Sequence, residues 1–132
     1  MKAVKIPADG DIEVTDIPDS GRGMFGEDSL TERVRFGIPN TKQMYTLGDT
    51  LKRTPRKWVV MLVDEDGVSN GLPPNPAATL LYRGGRHQGV IFGDAYLVLE
   101  KEDWMQEQEW SSILPPYDQP AFWQAVVTAT TV

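Results

Sequence analysis

Trp58-Val59-Val60-Met61-Leu62-Val63 is six apolar residues in a row, bounded by Pro55 on one side and by Asp64-Glu65-Asp66-Gly67 on the other. So short a run, with high β-propensity and turn residues at both ends, predicts a central strand covered on both faces. Everything else in the chain is read as what surrounds that strand.

Downstream, Gly71-Leu72-Pro73-Pro74 is rigid extended backbone and Asn75-Pro76 is a helix start, with Asn as N-cap and Pro at the first helical position. Ala77, Leu80 and Leu81 have helical spacing, and Gly84-Gly85 stops the helix after about two turns. Val90-Ile91-Phe92 and Ala95 to Leu99 read as a last strand, in which Gly93 marks a bulge or a close backbone contact. Glu102 to Ile113 predicts a short acidic amphipathic helix ended by Pro115-Pro116. A C-terminal helix follows, capped by Asp118 or Gln119 and opened by Pro120, with Phe122, Trp123, Val126 and Val127 on one apolar stripe.

Upstream, Lys2 to Ile6 alternates, Pro7-Ala8-Asp9-Gly10 turns, and Ile12, Val14 and Ile17 resume: a hairpin of two short strands. Residues 18–23 are a loop by composition. Asp28 or Ser29 then caps an expected short helix with Leu30 and Val34 on one face, ending at Gly37. Between Ile38 and Lys57 the signal is weak, with Met44, Tyr45 and Leu47 the one candidate strand. The expected fold is α+β: a small mixed sheet of four to five strands with two to four short helices packed on it.

Composition bounds the function. The chain has 132 residues, enough for a single domain with one core. Thirteen Lys and Arg against 19 Asp and Glu give a net charge of -6, which argues against indiscriminate phosphate binding. The chain contains no cysteine and one histidine, His87, so disulfides, thiolate chemistry and multi-histidine metal sites are excluded. MKAVKIPADG has four apolar residues before Pro7, too few for a signal-peptide core. A cytoplasmic protein with no membrane association is expected.

The KAVKIPADG start, the strand at 58–63, the segment Gly71-Leu72-Pro73-Pro74-Asn75-Pro76-Ala77-Ala78-Thr79-Leu80-Leu81-Tyr82 and the following Ile91-Phe92-Gly93-Asp94-Ala95 form a recognisable succession. It resembles a family of small domains of unknown function encoded by bacteriophages, plasmids and other mobile elements, frequent in actinobacterial phages. The resemblance covers residues 1–100 and implies a source and a fold rather than an activity. Residues 101–132 read as a Trp-rich extension of the same single domain.

Each candidate for chemistry has a plainer reading beside it. Arg83-Gly84-Gly85-Arg86-His87-Gln88-Gly89 joins two guanidiniums, the only imidazole and three glycines, a set suited to a small anion or nucleotide, yet it lacks the strand–helix order of a P-loop. Asn75 and the adjoining helix N-terminus are a second candidate for an anion, against a scaffold role for the GLPPN segment. Lys52-Arg53-Thr54-Pro55-Arg56-Lys57 is basic enough for nucleic acid, but the overall charge counts against that partner. Asp64-Glu65-Asp66-Gly67 lacks the later oxygen ligands of a calcium loop and reads as a turn. Trp104, Trp110, Trp123 and Tyr117 either anchor a partner, a host protein or a second copy of the chain, or pin the tail to its own core. His87 with Ser69 or Ser111 makes no nucleophile elbow, so no catalytic residue is assigned. Nor is any metal ligand or cofactor.

The sequence therefore favours a non-enzymatic phage or mobile-element accessory protein that binds and modulates a host component, in takeover or counter-defence. The alternative is a small-ligand or nucleotide-binding domain using the loop at 83–89, and the third class is a small enzyme of unfamiliar type. Acids concentrate in the first hairpin and after residue 100, and bases at 52–57 and 83–86, which favours a defined contact.

Overall fold

The structure, a computed structural model, describes residues 1–18, 25, 31–35, 57–84, 89–101, 110–115 and 117–130. Within them the elements are β1 (Lys2–Ile6), β2 (Glu13–Asp16), β3 (Thr31–Arg35), β4 (Lys57–Asp64), α1 (Pro76–Gly84), β5 (Ala95–Lys101), β6 (Trp110–Ser111) and α2 (Pro120–Thr130). The strands form one sheet in the order β2-β1-β5-β4-β3, with β6 also on β5. The α+β architecture is as the sequence predicts.

Val59 to Val63 are all buried, as a strand covered on both faces must be. On one face Val59, Met61 and Val63 join Val4 and Ile6 of β1 and Leu97 of β5, beneath Ala78 and Leu81 of α1 and Trp123 and Val126 of α2. On the other, Val60 and Leu62 pack with Ala3, Val98 and Ile17, and Phe25 lies against Tyr96 with ring centroids 5.8 Å apart. Each fully buried Leu or Met in these layers contributes about 2 kcal/mol by leaving water.

Among the described residues every strand pairing is antiparallel, where a mixed sheet was expected. The cause lies in the connection from β4 to β5. A helix between neighbouring strands ordinarily carries the chain back to start a parallel strand. Here the way into α1 and the way out are zipped together: Pro74 bridges Phe92, Asn75 N donates to Ile91 O at 2.8 Å and Gly93 N to Pro73 O at 2.7 Å. The helix therefore leaves and rejoins the sheet at one end, and β5 starts where β4 stopped.

Three other expectations are corrected. The helix expected over 28–37 is replaced at Thr31–Arg35 by β3, which pairs with β4 from Arg35 opposite Val60 to Thr31 opposite Asp64. An edge of β4 that would otherwise hold unpaired backbone outweighs a weak helical pattern. The acidic helix expected over 102–113 gives way at Trp110–Ser111 to β6, whose Ser111 lies opposite Leu99 of β5. Beyond it, Ile113 N donates to Lys2 O at 2.9 Å and Ser112 Oγ accepts from Lys2 N at 2.9 Å, so the segment continues along β1. The strand expected from Val90 begins only at Ala95, because Gly93 has φ +84° and a Cβ there would stand 2.6 Å from Leu72 Cδ1; this is the close contact the glycine signalled.

The remaining elements agree with their sequence signals. The hairpin pairs Lys2 with Asp16 and Lys5 with Glu13, α1 starts at Pro76 and ends at Gly84, and α2 starts at Pro120. The candidate strand at Met44, Tyr45 and Leu47 lies outside the described residues.

Candidate functional site

Asn75 is fully buried, and its side chain is engaged in three directions. Oδ1 accepts from Ala78 N at 3.0 Å, the expected N-cap bond, while Nδ2 donates to Ile6 O at 2.8 Å and to Gly93 O at 2.9 Å. Both amide protons thus go to carbonyls of the fold, joining β1, α1 and the start of β5, and none is directed at a ligand. Thr79 supports the same junction, its Oγ1 accepting from Ile91 N at 3.0 Å.

The predicted anion loop is reached by α1, whose last residues are Arg83 and Gly84. Arg86 and His87 lie outside the described residues, as do the side chain of Arg83 and the basic cluster 52–56. The turn after β4 uses the Asp64 carboxylate internally: Oδ1 accepts from Asp66 N at 2.9 Å and Oδ2 from Asn70 Nδ2 at 3.2 Å, while Glu65 and Asp66 are exposed. Among the described residues no group of three or more His, Asp or Glu is placed to hold a metal ion, and no helix is long and apolar enough to cross a membrane.

Of the four aromatic partner candidates, Trp104 and the side chain of Trp110 lie outside the described residues. Trp123 and Tyr117 are core. Trp123 has no exposed surface, its Nε1 donates to Tyr117 O at 2.6 Å, and its ring meets Phe122 edge-on at 4.9 Å. Burial pushes the Tyr117 phenol up to about 12. A partner could touch these two rings only if α2 left the sheet, which removes them as surface anchors.

At one margin of the described sheet, β2 and the turn that leads into it are exposed. Asp9, Asp11, Glu13 and Asp16 are all exposed there. Behind them a polar row crosses three strands, with Lys5 opposite Glu13 on one side and opposite Tyr96 on the other. Lys5 Nζ lies 3.7 Å from Asp94 Oδ2, and Asp94 Oδ1 accepts from Ala8 N at 2.9 Å, fixing the hairpin turn to β5. Burial raises the Tyr96 phenol, Lys5 lowers it, and Asp94 and Glu13 raise it further. The sequence shows the acids but not this support, whose only local signal is Gly93-Asp94 ahead of β5.

No protein-family model, curated protein or solved structure matches the chain.

Proposed function

We propose that the chain is a non-enzymatic accessory protein that binds and modulates a component of the cell in which it acts, through the acidic hairpin. The resemblance of residues 1–100 supports a bacteriophage or mobile-element origin and action in the host cytoplasm. The observation carrying the proposal is the position of Asp9, Asp11, Glu13 and Asp16: four exposed carboxylates on an edge strand of the described sheet and its turn, with the turn tied to Asp94 by the Ala8 N–H. A preorganised field of one sign speeds encounter with a basic surface and rejects acidic ones.

Capture from host lysate at low salt should enrich one stoichiometric partner with a basic binding surface, released as salt rises. A variant carrying Asp9→Asn, Asp11→Asn, Glu13→Gln and Asp16→Asn should keep its circular dichroism and lose the partner. Equal retention of the partner by that variant would refute the assignment.

A further inference from the structure

The hydrogen-bond phase of the hairpin decides which backbone groups face outward. Met1 and Ile17 exchange both main-chain bonds, the terminal amine donating to Ile17 O at 2.8 Å and Ile17 N to Met1 O at 2.9 Å. In an antiparallel ladder such pairs alternate with pairs that make no bond to each other. From the register, Ala3 with Thr15 and Lys5 with Glu13 are bonded pairs, while Lys2 with Asp16 and Val4 with Val14 are not. Lys2 confirms the phase, since its N–H and C=O turn the other way, to Ser112 and Ile113. The N–H and C=O of Val14 and Asp16 therefore point out of the sheet, and among the described residues β2 pairs with β1 alone. The Val14 side chain beside them is 40% exposed.

Building on the hairpin reading above, we infer that β2 receives an extended segment of a basic partner as an added strand. Outward main-chain groups supply the hydrogen bonds, and the side chains of β2 set the pattern. Glu13 and Asp16 call for basic residues three apart, and Val14 calls for an apolar residue next to the one facing Glu13. Lys5 has Asp94 as its ion pair, which leaves Glu13 for the incoming strand. A second copy of this chain fits poorly: the outward residues must face one another, so β2 pairs antiparallel with itself either with Val14 opposite Val14, which sets Glu13 diagonally beside Glu13 of the other copy, or with Val14 opposite Asp16, which sets Asp16 beside Asp16, and like charges so placed are destabilising. Charge thus disfavours self-assembly at this edge and admits a basic strand.

The test uses the whole chain and a synthetic peptide built on Lys-Thr-Val-Lys, which antiparallel to β2 faces Asp16, Thr15, Val14 and Glu13 in turn, with amide exchange read by NMR. Bound peptide should slow exchange at Val14 and Asp16 while Glu13 and Thr15, already bonded to β1, stay unchanged. Val14→Pro removes one outward donor at an edge position where proline is tolerated, and should weaken the peptide about tenfold. A peptide N-methylated at alternate residues makes the same test on the unaltered protein. Binding without alternating protection, or unaffected by both the proline and the N-methyl groups, overturns the added strand. A host partner kept by Val14→Pro but lost by the acid-neutralised variant overturns it too while sparing the hairpin reading; a partner kept by both sinks the hairpin reading itself.

Discussion

The side-chain amide of Asn75 donates to the main-chain carbonyl of Ile6 at 2.8 Å, across 69 positions of sequence. Its second proton goes to Gly93 O and its oxygen caps α1, so one buried residue closes the junction of β1, α1 and β5. Asn75→Ala removes a cap worth about 1 kcal/mol and strands two buried carbonyls at about 1–3 kcal/mol each, so a loss of about 3–7 kcal/mol is expected in urea denaturation. Asn75→Asp keeps the cap but turns a carboxylate on two carbonyl oxygens. It should cost at least as much as alanine; a milder loss would show that the cap alone matters.

Two glycines near this junction separate backbone conformation from space. Gly93 has φ +84° and a Cβ there would meet the end of the Leu72 side chain, which can move; at Gly67 a Cβ would stand 2.9 Å from Phe92 O, which cannot. Gly93→Ala should cost about 1–2 kcal/mol, chiefly from its dihedral. Leu72→Ala should recover a small part of that and none of the cost of Gly67→Ala, as a double-mutant cycle on thermal midpoints will read.

The strand at 58–63 was legible because its evidence is local: an unbroken apolar run between turns. The helix starts at Pro76 and Pro120 were legible for the same reason, since cap and proline are neighbours in sequence. Thr31–Arg35 was not, because TERVR fits a helix or a strand and the decision belongs to the open edge of β4. The antiparallel course of β5 rests on Pro74 meeting Phe92, a contact 18 residues apart that no pattern announces. In the hairpin the acids could be counted, but which backbone groups face outward depends on ladder phase, which the bonds of Met1, Ile17 and Lys2 reveal.

The raised Tyr117 phenol makes stability fall at high pH. Below the ordinary tyrosine value near 10 both folded and unfolded chains keep the proton; above it the unfolded chain releases it while the folded chain holds it to about 12. The stabilisation present below pH 10 is therefore lost between pH 10 and 12, on the order of 1 kcal/mol once solvent near the oxygen is allowed for. Tyr117→Phe should flatten that part of the profile in denaturation at pH 9, 10 and 11.5. The raised Tyr96 phenol leaves a residual slope of the same sign. An undiminished slope in the variant would assign the whole effect elsewhere.

Trp123 tests whether the tail belongs to the core. Trp123→Ala empties a fully buried site and leaves Tyr117 O without its donor, so about 3–5 kcal/mol should be lost. Trp123→Phe fills part of the space but still strands the carbonyl, and should cost roughly half as much. If either substitution left the thermal midpoint in place, α2 would not be packed as described.

Asp94 carries two contacts of unequal worth. Its bond from Ala8 N is 2.9 Å long and orders the hairpin turn, whereas its ion pair with Lys5 is 3.7 Å long and partly exposed. Asp94→Asn keeps an oxygen for Ala8 and gives up the charge, so it should cost less than about 0.5 kcal/mol, as exposed pairs generally do. Asp94→Ala gives up both and should cost about 1 kcal/mol, with faster amide exchange at Ala8. If asparagine were as damaging as alanine, the ion pair with Lys5, rather than the turn bond, would be what holds the hairpin to β5.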